Sequence, residues 1–387
     1  MDAIVIKVRE NHRVCPHSAL ISIGVNQDGY REIHSLGFKI HTGQHYNREL
    51  SDIFFDEMNI PQPDYNLGIG SDTHARQTGQ MMIELEALFL EEKPDIVLVY
   101  GDTNSTLAAA LAAVKLHIPV AHVEAGPRMH DKKIPEEINR VVTDHISSML
   151  FAPTPLCLDN LHREGLTKGV YLTGDVMLDC FLHFSKEAEK RIRILDELDI
   201  KQGSYLLATV HRASNTDKKT NLQEICKAFI ELAKDIELVF PVHPRTEKYL
   251  KQYGLYQTLA DTPNIHLIKP VGYLEMLILT KNAKKILTDS GGLQKEAYFA
   301  KVPCITLDTV SAWPETVEDG WNVVAGEEIN HQQITSENII HAARTFEPNK
   351  KQLNIFGDGK AAENICDLLV NHNLTSQTSL IRERFHS

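Results

Sequence analysis

Short runs rich in β-branched and aromatic residues alternate with longer helical patterns along most of this chain, and that alternation limits the folds open to it. PDIVLVY (94–100) precedes STLAAALAAVKLH, IPVAHV (118–123) precedes a loop and PEEINRVVTDHISS, and MLFAPT (149–154) precedes PLCLDNLHREG. After GVYLTGDVM the alternation restarts with SYLLATV, IELVFPV, NIHLIKP, KKILTDS, VPCITL and WNVVAG. Strands joined through crossover helices predict an α/β protein built on parallel, doubly wound sheets. A chain of 387 residues exceeds what one core usually serves. Two domains are therefore expected, with GDVMLDCFLHF (174–184) as the passage between them. Ligands of such sheets bind outside the carboxyl ends of the strands, and the polar motifs fall at those ends.

Composition excludes several functions. A net charge of −12 disfavours nonspecific contact with nucleic acid or an anionic membrane, so any phosphate site has to be made locally. No apolar stretch reaches membrane-spanning length, and MDAIVIKVRENHRV lacks the apolar core of a signal peptide, so a cytoplasmic protein is expected. The six cysteines are far apart and form no C-x-x-C pair, which argues for reduced thiols. G-x-G at Gly68 and Gly70 lacks a third glycine and a preceding strand, so a nicotinamide site is not expected.

Five motifs carry chemistry. In TDSGGLQKEA (288–297), Ser290, Gly291 and Gly292 stand between an apolar run and a helical pattern. Two glycines there let a ligand approach the first helical N–H groups, and an anion is the natural guest; a simple cap by Asp289 or Ser290 is the alternative. In YGDTNSTLAAALAA, Asp102 ends a strand, where it caps the next helix or points into a crevice as acid or base. AHVEAGPRMHDKKIPEEINR brings Glu124 to the next strand end and Glu136 to the following helix. Carboxylates delivered by successive strand ends suit proton transfer at carbon, where one group removes a proton and another supplies it. A metal site from His122, Glu124, His130 and Asp131 is conceivable but is not expected. Further on, VHR supplies His211 and Arg212, and PVHPR supplies His243 and Arg245, a cation-rich pocket beside the glycine turn.

Taken together, TGQH (42–45), GDTNSTLA, HVEAG, PEEINR, TGDVMLD (173–179), VHR, PVHP, TDSGGLQKEA, PETVEDG (314–320) and GDGKAAE (357–363) resemble the non-hydrolysing UDP-N-acetylglucosamine 2-epimerase family. The resemblance covers about residues 41 to 370. It implies two Rossmann-like domains facing a central cleft, of the GT-B type: residues 1–174, residues 175–364, and a helix in 365–387 crossing back to the first domain. It implies epimerisation at C2 of a UDP-linked amino sugar through elimination of UDP and a glycal, for surface polysaccharide precursors, by a homodimer needing no cofactor and no metal. Asp102, Glu124, Glu136 and His211 are then catalytic. Arg212, His243, Ser290, Gly291, Gly292 and Glu296 bind substrate, the turn holding the diphosphate and Glu296 the ribose. Gln44, Val271 and Met276 would contact the uracil or a second site.

This chain departs from the family pattern in places. Nothing in residues 1–40 matches the opening strand and the glycine-threonine-arginine-proline-glutamate type loop whose arginine reaches the phosphates. Trp313 replaces an arginine, Ser214 a glutamate, and Pro127 a leucine. A UDP-2,3-diacetamido-2,3-dideoxy-glucuronate 2-epimerase, a glycosyltransferase of the same architecture and a catalytically impaired UDP-sugar-binding protein stay open as alternatives.

Overall fold

A computed structural model of the chain describes residues 3–7, 37–43, 58, 62–326 and 334–370. Gln44 and most of residues 1–40 lie outside the described residues. The chain divides into two compact units, one made of residues up to His183 and from Asn354 onward, the other of Phe184–Leu353. The helix Val176–Arg191 runs through the first division.

The sheet of the first unit contains β1 (Ala3–Lys7), β2 (Gly37–His41), β3 (Tyr65–Asn66), β4 (Ile96–Tyr100), β5 (Val120–Val123), β6 (Met149–Ala152) and β7 (Val170–Leu172). Their order is β3-β2-β1-β4-β5-β6-β7. In β4 the run Ile96–Val99 is buried throughout, as a strand covered on both faces requires. On one face Val97 and Val99 pack with Met81, Leu85 and Phe89 and with the alanine side of the helix Asn104–Lys115. Alanines there let two helices lie close to the sheet and to each other. All neighbours pair in parallel except β1, which runs antiparallel to both β2 and β4, with Lys7 opposite Ile96 and Ala3 opposite His41. The carboxyl end of β1 thus lies at the sheet edge opposite to the one where β4 ends.

Residues 354–370 belong to this unit as well. The Asp179 carboxylate accepts the N–H groups of Ala361 (3.2 Å) and Ala362 (2.8 Å), anchoring the start of a helix over 361–370. Ile365 is fully buried against the core of Leu98, Met149 and Phe151. Burying such a side chain is worth roughly 1.5–3 kcal/mol.

The second unit holds β8 (Tyr205–Thr209), β9 (Glu237–Pro241), β10 (Ile265–Ile268), β11 (Lys285–Thr288), β12 (Cys304–Thr306) and β13 (Asn322–Val324). Their order is β10-β9-β8-β11-β12-β13 and every pair is parallel. Strand order reverses between β8 and β11, the place where doubly wound sheets open a crevice. Phe229 and Phe240 meet edge to face at 5.4 Å in a core built from Leu206, Leu222, Leu238 and Ile305. Among the described residues no helix is long and apolar enough to cross a membrane, and Cys157, Cys180, Cys226, Cys304 and Cys366 form no disulfide.

Candidate functional site

In the first unit the polar residues gather where β4 and β5 end. Capping of the helix Asn104–Lys115 falls to Thr103, whose hydroxyl accepts the Thr106 N–H at 3.4 Å. Asp102 is thereby released from the capping role. Its Oδ2 instead meets Arg140 Nη2 at 2.5 Å, and its backbone carbonyl accepts from Asn139 Nδ2 at 2.9 Å. Glu136, Asn139 and Arg140 lie on one face of the helix Pro135–Ile146, at spacings of three and four. Burial pushes the Asp102 carboxyl above its usual range; Arg140 opposes this, while the nearby charges of Glu124 and Glu136 add to it. Asp102 therefore holds a proton more readily than a lone exposed carboxylate does.

Glu124 adopts a left-handed backbone, with φ of 68°. For a residue other than glycine this costs about 1–2 kcal/mol, so tertiary contacts have to hold it there. Gly126 follows at φ 92°, where a Cβ would come within 2.3 Å of the Cys157 carbonyl oxygen. Gly126→Ala is expected to lower unfolding free energy by at least about 2 kcal/mol, read from urea unfolding, because strain and clash add. An unchanged midpoint would mean the turn relaxes freely. Of the two glutamates in PEEINR, Glu136 is exposed, whereas Glu137 is buried and accepts the Met129 and His130 N–H groups at 3.0 and 2.8 Å. His122 has both ring nitrogens engaged, by Asp144 and by the Gly101 carbonyl, and so is not a metal ligand. Among the described residues no group of three His, Cys, Asp or Glu side chains could hold a metal ion.

In the second unit the site forms at the switch point. His211 and Arg212 follow β8, and Asp289, Ser290, Gly291 and Gly292 follow β11. The Ser290 hydroxyl caps the helix Gly291–Phe299, accepting the Leu293 N–H at 3.3 Å. Asp289, wholly buried, does not cap; it accepts the N–H of His211 (3.0 Å), the N–H of Arg212 (3.0 Å) and Asn215 Nδ2 (3.0 Å). The carboxylate ties the ends of β8 and β11 together. A Cβ on Gly291 would stand 3.2 Å from the Ala312 side chain, 3.8 Å from Trp313 Nε1 and 3.9 Å from Arg212 Nη2. An indole N–H and a guanidinium thus flank the first N–H groups of that helix, a ready anion cradle.

The cations are fewer than their count in the sequence suggests. Arg245 pairs with Asp217 at 2.6 Å, and Arg212 shares its charge with Asp308 at 3.0 Å. His243 caps the helix Pro244–Gln252 through Nδ1, which accepts the Arg245 N–H at 3.1 Å. Burial, then His211 and Arg245, hold its pKa below the ordinary histidine value, with Asp289 opposing. A neutral ring accepting at Nδ1 offers Nε2–H as a donor. The His211 and His243 rings lie 5.7 Å apart. Val271 is half-buried in the loop before the helix Tyr273–Asn282, and Met276 lies near the start of that helix, three residues beyond Tyr273.

Glu296, one turn and a half into its helix, is buried, and burial pushes its carboxyl up to about 7 against a bond from Tyr273 and the charge of Lys295. An unfolded chain would ionise this group near 4.5, so the folded protein holds the proton longer and loses stability as pH rises from 4.5 to about 7. Glu296→Gln is expected to stabilise the ligand-free protein at pH 8 by up to about 3 kcal/mol and to have little effect at pH 4, read from urea unfolding. Equal stability of the two proteins at pH 8 would contradict the penalty.

Sequence reasoning missed Asn139, Arg140, Asp144, Asn215 and Asp289 as organisers of these sites. Helical spacing from Glu136 could have flagged the first two. Nothing local links Asn215 to Asp289, because the contact spans 74 positions.

The sequence model of the family described as UDP-N-acetylglucosamine 2-epimerase matches residues 37–370. A second model, described as Transposase, Mutator family, matches residues 1–58. A Methanococcus maripaludis protein described as a UDP-N-acetylglucosamine 2-epimerase homolog is 54% identical over 334 residues, 86% of this chain and 91% of the relative. The Pseudomonas aeruginosa UDP-2,3-diacetamido-2,3-dideoxy-D-glucuronate 2-epimerase is 42% identical over 336 residues, 85% of this chain and 90% of the relative. The crystal structure of Methanocaldococcus jannaschii UDP-GlcNAc 2-epimerase in complex with UDP-GlcNAc and UDP superposes with a TM-score of 0.77 at 47% identity, covering 86% of this chain and 91% of that one.

Proposed function

We propose, from the premise that this chain belongs to the UDP-N-acetylglucosamine 2-epimerase family, that it interconverts UDP-N-acetylglucosamine and its C2 epimer UDP-N-acetylmannosamine. The observation that carries the reading is Asp102 at the end of β4, paired with Arg140 at 2.5 Å and its pKa raised by the charges of Glu124 beyond β5 and Glu136 on the following helix. Carbon 2 of the sugar has no adjacent carbonyl, so its proton is not removed and returned by simple enolisation. Elimination avoids that difficulty. One carboxylate takes the C2 proton, a C1–C2 double bond forms, and the C1–O electron pair leaves with UDP. The diphosphate oxygen then attacks C1 again while a protonated carboxyl delivers hydrogen to the other face of C2. No electrons are gained or lost overall, so no redox cofactor is needed.

In this reading the second unit holds the leaving group. The N–H groups of Gly291 and Gly292, the Arg212 guanidinium and the His243 Nε2–H donate to the diphosphate, and Glu296 accepts from the ribose. His211 stands beside them, its Nδ1 3.4 Å from Asp289. Val271 and Met276 offer an apolar surface to the uracil. A homodimer acting on precursors of surface polysaccharide is part of the same proposal.

The test is incubation of UDP-N-acetylglucosamine with the protein in deuterated water. Deuterium is expected at C2 of both epimers, because the proton removed equilibrates with solvent. A glycosyltransferase would leave C2 unlabelled. The relative that is a UDP-2,3-diacetamido-2,3-dideoxy-D-glucuronate 2-epimerase gives reason to run the same incubation with that sugar.

One observation favours a second reading, that of an impaired enzyme. β1 runs antiparallel to β4, so its own carboxyl end lies at the sheet edge opposite to Asp102, and residues 1–58 match the transposase model, whereas the epimerase family model begins at residue 37. Losing one charge-assisted phosphate contact costs about 1.5–3 kcal/mol, or roughly a ten- to hundredfold slower reaction. UDP binding by calorimetry without label in either sugar would establish this second reading. Slow but measurable exchange is the outcome expected here.

A further inference from the structure

His122 adjoins the end of β4 that carries Asp102, and its side chain is fully buried. Its Nδ1 stands 2.7 Å from Asp144 Oδ1 and its Nε2 2.7 Å from the carbonyl oxygen of Gly101. A carbonyl only accepts. Asp144 also only accepts, since its Oδ2 already receives the Gly126 N–H at 3.1 Å and faces Arg128 Nη1 at 2.8 Å. Two acceptors therefore face two ring nitrogens, and both bonds form only when the ring carries two protons. A neutral imidazole would set a lone pair against one of the acceptors.

The two ends of this contact are the residues next to the reacting groups. Gly101 precedes Asp102, and Gly126 follows the left-handed Glu124 by two positions. We propose that His122 is a positioning residue: as a doubly donating imidazolium it joins the end of β4 to Asp144, and through Asp144 to the turn beyond Glu124, fixing both carboxylate carriers at once. The proposal rests on Asp102 and Glu124 being the proton-transfer groups of the reading above. The charges facing the ring are Asp144 from the helix Pro135–Ile146, Asp102 from the end of β4, and Arg128 across Asp144 from the loop after β5. Although burial works against a charge on this ring, the bond and the charge of Asp144 outweigh it and hold the His122 pKa above the ordinary histidine value.

His122→Asn, which sets a donor nitrogen and an acceptor oxygen where two donor nitrogens are needed, is the direct test. It is expected to lower kcat about ten- to hundredfold, the effect of a reacting group displaced by a fraction of an ångström to an ångström, with KM and UDP affinity within about twofold of wild type. A merely structural role would lower the folded fraction and leave kcat per folded molecule unchanged. Independently, nitrogen NMR of the wild-type protein labelled in histidine is expected to find both His122 ring nitrogens protonated at pH 7.5. Wild-type kcat in folded His122→Asn overturns the proposal, as does a singly protonated ring. Should His122→Asn fail to fold, Asp144→Asn keeps the shape and removes the charge facing Nδ1. The alkaline limb of its kcat profile is then expected to move to lower pH, and an unmoved limb overturns the proposal. If the wild-type protein itself exchanges no hydrogen at C2, the proposed reaction fails, while the ring protonation still decides the role of His122.

Discussion

Asp102→Asn is expected to cut turnover by at least about a hundredfold while UDP affinity stays within about threefold, because a positioned acid or base contributes roughly 10²–10⁴ to rate and nothing to uniform binding. Asparagine is isosteric, and its amide oxygen still accepts from Arg140, which stands 2.5 Å from the Asp102 carboxylate. The change therefore removes the proton-carrying capacity and leaves the guanidinium paired. Hydrogen exchange at C2 and net epimerisation are expected to fall together. Glu124→Gln is expected to behave likewise, with a smaller effect on the raised pKa of its neighbour. Turnover by Asp102→Asn at wild-type rate would reduce that carboxylate to a partner for Arg140 and remove the basis for the proposed mechanism.

The second large effect is expected in the other unit. Asp289→Ala takes away the acceptor for three donors, the N–H groups of His211 and Arg212 and the side-chain amide of Asn215. Buried donors left without a partner cost about 1–3 kcal/mol each, so a total of at least about 3 kcal/mol in unfolding free energy is expected. UDP affinity is expected to fall at least about tenfold as well, since the ends of β8 and β11 would no longer hold Arg212 against the glycine turn. Asp289→Asn should lose less, because its amide oxygen keeps part of the acceptor while its amide nitrogen opposes a donor. Calorimetry for UDP binding and urea unfolding for stability measure the two effects separately. An alanine variant with wild-type affinity would mean that the anion cradle stands without the buried carboxylate.

The alternation of strands and helices was legible because periodicity is a local property. The runs 94–100, 118–123, 149–154 and those from SYLLATV onward correspond to β4, β5, β6 and the parallel strands of the second unit. The site was legible in part. Strand-end motifs led to Asp102, Glu124, His211, Arg212 and Ser290, since ligands of doubly wound sheets gather at carboxyl ends. Whether Asp102 or Thr103 caps the following helix could not be read from the residues, because both types cap and only the backbone angles at the strand end choose between them. Nor was the number of available cations legible. Arg245 and His243 count as basic in sequence, but Asp217, 28 positions from Arg245, neutralises the one, and burial discharges the other.

Residue order alone was enough for the doubly wound class, the two-part organisation of the polar motifs and the glycine turn at a helix start, because each follows from pattern and turn chemistry over a few residues. The reversed direction of β1, the Asp144–His122–Gly101 contact and the buried Asp289 hub depended on the folded chain. Strand direction is a choice among pairings of similar apolar runs, and the protonation of a buried group is set by whichever acceptors packing brings against it. Both are contacts between residues distant in sequence, and their energies exist only once the sheets have formed.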